Sequence, residues 1–319
     1  MSDTRAPAAD VAAVSPLRRR RRVRNPRRLA RLYLFVVPAA LLLLLFHYVP
    51  IYGIVIAFKD YSPYLGIFGT PWVGLKHFQR FLTDPKFWNV IKNTLVISAL
   101  DIGFGFPAPI IFALLANEIV SRRFKRVMQT ISYLPHFISW VVVFGIFYQF
   151  LSPVYGVAMR FVAALGIDPP NLLGRVSLFR PLVVSAEIWK GVGWGSILYF
   201  ATIAGIDEGL YEAAYIDGAG RLRMAFSITI PGILPIVMLL LIFRIASFFS
   251  VGFERIFVFS NALNYSVSDT LAVYVYRMGL VETQYSRTAA IGLTQSVLAF
   301  VLLFTANRLS GRIAGLSLW

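Results

Sequence analysis

The side chains that could perform acid-base or metal chemistry are few in this sequence and poorly spaced for it. The chain has 319 residues, no cysteine and three histidines that form no HExxH pair, so no thiolate nucleophile or cysteine metal site can form. No GxxxxGK[ST] phosphate loop is present either. Asp207, Glu208 and Glu212 resemble an acid cluster, but basic residues follow in the same polar stretch and solvation explains them. We therefore predict no catalytic residue, no metal site and no cofactor in this chain.

Four charged residues interrupt long apolar segments: Asp101, Glu187, Lys190 and Arg244. A charge at the centre of a bilayer costs at least about 2.5 kcal/mol unless it faces protein or water, so such residues often mark a transport path. Glu187 and Lys190 are three residues apart on one predicted helix and could simply neutralise each other. Arg244, near the end of its segment, could extend toward the membrane surface.

The segment SAEIWKGVGWGSILYF surrounds two of these charges with aromatic side chains and with three glycines, Gly191, Gly193 and Gly195. Glycines in a membrane helix permit either close helix packing or an unwound turn that lines a cavity. Aromatic and charged groups together would suit a carbohydrate passing through. Six residues are our candidates for a substrate path: Glu187, Trp189, Lys190, Trp194, Tyr199 and Arg244.

Composition predicts that membrane-spanning helices position these residues. The chain is 58% hydrophobic and only 14% charged, which is far more apolar than a soluble domain. Six apolar segments each exceed the ~20 residues that cross ~30 Å of hydrocarbon. The first is too long for a removable signal and is predicted to stay as an anchor. The predicted spans are about 32–58, 89–117, 128–152, 180–206, 225–250 and 287–309.

The formal net charge of +16 comes mainly from one tail, since ten arginines precede the first apolar segment. The loops on the same side of the membrane as this tail carry more lysine and arginine than the opposite loops, and cytoplasmic loops carry such an excess. The sequence therefore predicts cytoplasmic N and C termini. We interpret residues 1–30 as a disordered basic tail that fixes topology or contacts lipid rather than nucleic acid, and residues 31–319 as the transmembrane domain.

The longest polar interval on the predicted cytoplasmic side is YEAAYIDGAGRLRMAFSITIP, residues 211–231. It predicts a short amphipathic helix, a turn at Gly218, a basic pair and a proline just inside the next apolar segment. The alanines leave a smooth face for another protein, and Glu212 offers a carboxylate at its edge. Gly218→Asp is predicted to leave the protein in the membrane but to abolish its coupling to that partner, because a side chain would enter a packed turn.

This stretch resembles the EAA loop of ABC importer permeases, in which Glu-Ala-Ala, three residues, Gly and nine residues precede Ile-x-Leu-Pro. Ile230 stands where the pattern usually has Leu, a volume-conserving change. In that family the loop is a coupling helix that docks on a separate ATPase subunit. The resemblance implies an ATPase-coupling role for seven residues: Glu212, Ala213, Ala214, Asp217, Gly218, Ile228 and Pro231.

Further runs, including VPIYGIVIAFKDYSPYLGIFGTPWVGLKHF, RRFKRVMQTISYLPHFISWVV and the ending GLSLW, resemble the polysaccharide-type branch of the maltose-like sugar permeases, which includes alginate importers. The resemblance implies an all-α ABC type I importer permease fold with six transmembrane helices in the bacterial inner membrane. The implied assembly is a heterodimeric pore with a second permease subunit, two ATP-binding subunits that hold ATP and Mg²⁺, and an external solute-binding protein. The implied cargo is an oligo- or polysaccharide, with alginate or another uronate glycan as a candidate.

Two other classes of function stay open on the residues alone: a stand-alone secondary transporter and a membrane enzyme that acts on lipid-linked sugars. The first is weakened because the two halves of the sequence show no internal repeat. The second is weakened because no catalytic constellation is evident. Stimulation of a partner ATPase by substrate is expected of an importer and of neither alternative.

Overall fold

A computed structural model describes residues 26–250 and 252–314, and these residues are helical apart from turns and one isolated antiparallel bridge, Lys59 to Trp72. The all-α prediction is therefore confirmed for this part of the chain. The chain divides into two compact units, Met1–Tyr52 and Gly53–Trp319.

The described part of the first unit is helical. It contains α1 (Pro26–Leu43), a π-helical turn (Leu44–Tyr48) and α2 (Val49–Ile51), and a 3-10 segment (Tyr52–Phe58) continues the helix. Residues 26–30 of the predicted tail 1–30 are helical and belong to α1. Residues 1–25 of that predicted tail lie outside the described residues.

The second unit contains fifteen described α-helices, several of them joined by short 3-10 or π-helical turns. They are α3 (Gly66–Gly69), α4 (Lys76–Leu82), α5 (Pro85–Leu100), α6 (Pro107–Asn117), α7 (Arg122–Tyr133), α8 (Trp140–Leu151), α9 (Val157–Ala164), α10 (Val176–Ile203), α11 (Glu208–Ile216), α12 (Arg221–Met224), α13 (Ile230–Ala246), α14 (Phe253–Phe259), α15 (Tyr265–Ser268), α16 (Leu271–Tyr276) and α17 (Tyr285–Ala314).

Four continuous helical stretches among the described residues are long and apolar enough to cross a membrane: Tyr33–Phe58, Pro85–Asn117, Arg221–Ala246 and Tyr285–Arg312. They match four of the six predicted spans. The helix α10 is 28 residues long, but its charged residues lower its hydropathy and it is not among the four.

The predicted span 128–152 is not one straight helix. Arg122–Phe137 and Trp140–Leu151 meet at a bend of 106° and count as one span only if taken together. Pro135 lies in a 3-10 turn, and the Ser139 side chain accepts a hydrogen bond from the backbone N–H of Val142, which starts a new helix there. The sequence signals for this break, a proline followed by a serine N-cap, lie inside an otherwise apolar run.

The helix α10 lies at the centre of the second unit, because it packs against α6, α7, α13, α14 and α15. A Cβ atom added to Gly193 would lie 2.2 Å from the carbonyl oxygen of Ser132 on α7, and one added to Gly195 would lie 3.0 Å from Pro109 on α6. Since α10 is helical throughout, these glycines allow close helix packing and do not form the unwound turn that was the other expectation.

Gly193→Ala is expected to lower the free energy of unfolding by about 1–3 kcal/mol, since the new methyl group must displace a backbone carbonyl. The measurement is the thermal unfolding midpoint of the purified protein in detergent. Gly191→Ala is the matched control, because a Cβ atom there meets nothing within 4 Å. Equal midpoints for the two variants would contradict the close packing of α7 on α10.

Candidate functional site

A charged cavity of about 270 Å³ lies where several segments of the second unit meet. It is lined by residues of α5 and the turn after it, the turn after α7, the start of α8, helix α10, the end of α13 with the loop that follows, and α14. The ionisable residues among them are Asp101, His136, Glu187, Lys190, Arg244 and Arg255. An adjoining cavity of about 430 Å³ shares His136, Glu187 and Arg244 with it.

Arg255 is the centre of this charge cluster, with only 1% of its surface exposed. Its guanidinium donates to both carboxylate oxygens of Asp101, at 3.1 and 2.7 Å, and pairs with Glu187 at 3.2 Å. Arg244 approaches the same Asp101 carboxylate at 3.6 Å. A buried charge requires this kind of pairing, because the low local dielectric makes an unpaired ion very costly.

The backbone at Asp101 departs from regular α-helix. Asp101–Gly105 is a π-helical turn in which the N–H of Phe106 donates to the carbonyl of Asp101 at 2.8 Å. Pro107 follows and has no N–H to donate, which favours an altered hydrogen-bond ladder at this point. Such π-turns frequently occur at functional sites, and here the turn carries the carboxylate that two arginines share.

Lys190 contacts the other wall of the charged cavity. Its ammonium donates to the backbone carbonyl of His136 at 2.6 Å and lies 5.4 Å from the ring centroid of Trp140. The imidazole of His136 is stacked on Trp194, with ring centroids 4.5 Å apart. The expectation that Glu187 and Lys190 neutralise each other is therefore wrong. Glu187 pairs with Arg255, whereas Lys190 contacts a backbone carbonyl and the face of an aromatic ring.

The structure brings together five of the six predicted path residues. Glu187, Lys190 and Arg244 line the charged cavity, and Trp194 and Tyr199 line the adjoining one. The sixth lies elsewhere: Trp189 contacts Phe147 edge to face and borders a separate apolar cavity beside α8. The position of Trp189 therefore does not support its prediction as part of one path with the other five residues.

Sequence reasoning missed Arg255, which is not among the predicted path residues. The signal available was a pair of charges inside the short apolar run FERIFVF. That run forms α14, whose Arg255, Ile256 and Phe259 are buried, so an arginine there required a carboxylate partner.

A second polar cavity, of about 570 Å³, contains ion pairs, and one of them joins distant parts of the second unit. Asp84 accepts a hydrogen bond from the backbone N–H of Lys86 at the start of α5 and pairs with Arg287 on α17. Burial acts to raise the pKa of Asp84, but the hydrogen bonds from Arg287 and Lys86 outweigh it and hold the pKa below its ordinary value. Asp269 and Arg277 pair at 2.9 Å in the same cavity. These pairs hold helix ends together.

The predicted polar stretch forms the short helix α11, with a defined cap at each end. Asp207 accepts a hydrogen bond from the N–H of Gly209 at 3.0 Å at the beginning. At the other end the N–H of Gly218 donates to Tyr215 and that of Ala219 donates to Ala214, which is the Schellman arrangement. Gly218 has φ +78°, where glycine is favoured.

The prediction that a side chain at Gly218 would enter a packed turn is wrong, because the turn is not crowded. A Cβ atom at Gly218 would meet nothing within 4 Å, and the constraint is the positive φ alone. Of the other predicted coupling residues, Glu212, Ala213, Asp217 and Pro231 are exposed, and Ala214 and Ile228 are half-buried.

Large apolar side chains are exposed around this turn. Tyr215, Ile216 and Leu222 are 77%, 84% and 77% exposed. Phe226, one helical turn after Leu222, is exposed as well. An apolar group of this kind in a polar loop is typical of a protein interaction surface. We call Tyr215, Ile216, Leu222 and Phe226 the α11 apolar surface.

Comparison with known proteins gives consistent matches. Residues 105–315 match the family described as the binding-protein-dependent transport system inner membrane component. Protein LplB of Bacillus subtilis (strain 168) is 44% identical over 276 residues, covering 86% of this chain and 87% of LplB. The polygalacturonan/rhamnogalacturonan transport system permease protein YteP of the same organism is 41% identical over 309 residues, covering 97% of this chain and 96% of YteP.

Two solved structures have the same fold. A bacterial ABC transporter involved in the import of the acidic polysaccharide alginate contains a chain that is 39% identical, with a TM-score of 0.84, covering 90% of this chain and 97% of that one. The bacterial alginate ABC transporter in complex with an alginate pentasaccharide-bound periplasmic protein gives a TM-score of 0.84 at 38% identity, covering 92% and 98%.

Proposed function

This chain belongs to the family of binding-protein-dependent transport system inner membrane components, and from that premise we propose which assembly it forms and what it carries. It is a bacterial inner-membrane permease with the ABC type I importer fold, and its relatives are sugar importer permeases. We propose that it forms one half of a heterodimeric pore with a second permease. Two ATPase subunits that bind ATP and Mg²⁺, and an external solute-binding protein, complete the proposed assembly.

The observation that carries the proposed assembly is the α11 apolar surface. Tyr215 and Ile216 of this surface are exposed on α11, a helix that is capped at both ends, so this part of the surface is ordered before any partner binds. Leu222 and Phe226 follow on α12 and in the π-helical turn after it. A pre-ordered apolar helix binds a groove at a low entropic cost. The predicted coupling residues Glu212 and Ala213 are exposed on the same helix, which supports docking of α11 on an ATPase subunit.

The proposed mechanism is alternating access. ATP binding closes the two ATPase subunits, α11 moves with the surface on which it is docked, and the charged cavity changes its access from one side of the membrane to the other. Hydrolysis then resets the pore. The candidates Glu187, Lys190, Trp194, Tyr199 and Arg244 line two adjoining cavities, and this arrangement supports a path for a substrate with several sugar rings.

We propose an acidic oligo- or polysaccharide, such as a uronate glycan, as the cargo. Three cationic side chains, Lys190, Arg244 and Arg255, face two carboxylates in the charged cavity. Arg255 is buried and paired with both carboxylates, whereas the Arg244 side chain is 36% exposed and makes only a 3.6 Å approach to Asp101. Arg244 therefore has donors available for a sugar carboxylate. The names of YteP and of the alginate transporter point to the same class of cargo.

The assembly is tested by purifying the tagged chain from its native membrane in mild detergent and identifying every bound protein by mass spectrometry. We expect a second permease and two copies of an ATPase subunit per complex. Recovery of this chain alone, under conditions that preserve other complexes, would reject the importer assembly and favour a stand-alone transporter or enzyme.

Arg244→Gln is expected to weaken stimulation of the complex's ATPase by an acidic oligosaccharide about 10- to 100-fold in apparent affinity, as for loss of a charged hydrogen bond. Stimulation by a neutral oligosaccharide of equal length, where it occurs, should change little. Arg160→Gln, which removes a charge at an exposed position, is the matched control. Equal losses for acidic and neutral glycans would reject charge recognition by Arg244.

A further inference from the structure

A hydrogen bond between side chains joins α11 to the start of the helix that leads to the cavity. The hydroxyl groups of Tyr211 and Thr229 are 2.9 Å apart. Thr229 is 3% exposed and ends the π-helical turn Ala225–Thr229, directly before α13. A hydroxyl buried to this extent needs a partner, and the Tyr211 phenol supplies it from the middle of α11.

A second, apolar contact lies at the beginning of α11. A Cβ atom added to Gly232 on α13 would lie 2.7 Å from the Cδ1 atom of Ile206, so the residue that precedes the Asp207 cap is packed directly on α13. The segment 206–211 thus contacts the helical stretch Arg221–Ala246 at two points. The packing fixes the separation of the two helices, and the hydrogen bond fixes the rotation of α11 about its own axis.

The other end of α13 reaches the charged cavity. Arg221–Ala246 is one continuous helical stretch, and at ~1.5 Å per residue Arg244 lies about 22 Å along it from Thr229. Arg244 lines both cavities and approaches Asp101 at 3.6 Å. A displacement of α11 can therefore reach Arg244 through one helix, provided that α11 and α13 do not move independently.

We propose that the hydrogen bond between Tyr211 and Thr229 is the positioning contact that makes α11 and α13 move as one body. Both are positioning residues: neither touches the cargo, and neither belongs to the α11 apolar surface. Without the bond α11 still docks on its partner but rotates against α13, so that ATP is hydrolysed without the corresponding movement at Arg244. This inference rests on the proposed function, because it assumes that a partner ATPase displaces α11.

The test uses the complete complex reconstituted in liposomes and measures glycan transported per ATP hydrolysed. Tyr211→Phe and Thr229→Val each remove one hydroxyl group at nearly constant volume. We expect each to lower the transport-to-hydrolysis ratio about 3- to 30-fold, the range found for residues that transmit coupling. Co-purification of the ATPase and basal hydrolysis should stay unchanged. The double variant should be no worse than either single variant, because both remove the same contact.

Two further variants separate positioning from simple destabilisation. Thr229→Ser keeps the hydroxyl group and should therefore show the wild-type ratio of transport to hydrolysis. Thr305→Val removes an exposed hydroxyl that bonds only within its own helix and should leave the ratio unchanged. A normal ratio in Tyr211→Phe, or additive losses in the double variant, would overturn the proposal. Failure of the wild-type complex to contain an ATPase would instead reject the proposed function itself.

Discussion

Arg255→Met is expected to lower the free energy of unfolding by about 3–5 kcal/mol, the cost of leaving buried charges without their partner. Asp101 is 4% exposed and would lose its two short hydrogen bonds from Arg255, keeping only Arg244 at 3.6 Å. Glu187 would lose its arginine partner as well. The measurement is thermal unfolding in detergent, followed by tryptophan fluorescence, together with the yield of monodisperse protein.

The reason for this loss is tested by neutralising the partners. Arg255→Met combined with Asp101→Asn and Glu187→Gln leaves no charge that Arg255 would have to balance, and replacing a whole buried ion cluster is often nearly neutral for stability. The triple variant should therefore recover most of the lost stability. Arg175→Met, at an exposed position, controls for removal of an arginine. A triple variant less stable than Arg255→Met would show that packing, rather than unpaired charge, explains the loss.

The helices that were predicted correctly from the sequence are determined by local residue patterns. A long apolar run predicts a membrane-spanning helix from its own residues, and four predicted spans have the required length and hydropathy. The helix α11 and its turn also follow from adjacent residues, because an Asp cap and a glycine in a left-handed conformation are local features. No distant contact is needed for either.

The charge cluster could not be predicted because its members are distant in the sequence. Asp101 was identified as a costly charge, but its partner Arg255 lies 154 residues away, and no local rule pairs them. The bend at Ser139 was missed for a different reason. A hydropathy average over a long window conceals a proline and a serine cap, although both were visible in the sequence.

The position of Trp189 could have been predicted from helical geometry. Successive residues are about 100° apart around an α-helix, so Trp189 lies about 200° from Glu187 and faces away from it. Trp194 lies about 340° from Glu187, nearly on the same face, and the two line one cavity. Choosing path residues by aromatic character alone ignored this periodicity.

Replacement of Gly218 by valine is expected to reduce ATP-driven glycan uptake about tenfold, because a β-branched residue at φ +78° costs roughly 1–2 kcal/mol in a left-handed conformation. The strain opposes the Schellman turn and frays the end of α11, next to Tyr215 and Ile216 of the α11 apolar surface. The amount of protein in the membrane should not fall, since Gly218 is exposed and a Cβ atom meets nothing there. Uptake and co-purification of the ATPase are measured together.

Asparagine and aspartate separate backbone strain from crowding in the same turn. Both tolerate positive φ better than valine, so Gly218→Asn should keep most of the uptake and Gly218→Asp should lie between the two. Aspartate places a negative charge at the helix C-terminus, where the macrodipole disfavours it, which is why it should be worse than asparagine. Losses as large for asparagine as for valine would mean that the docked partner fills the open space beside Gly218. The constraint would then be the shape of the interface and not the backbone of α11.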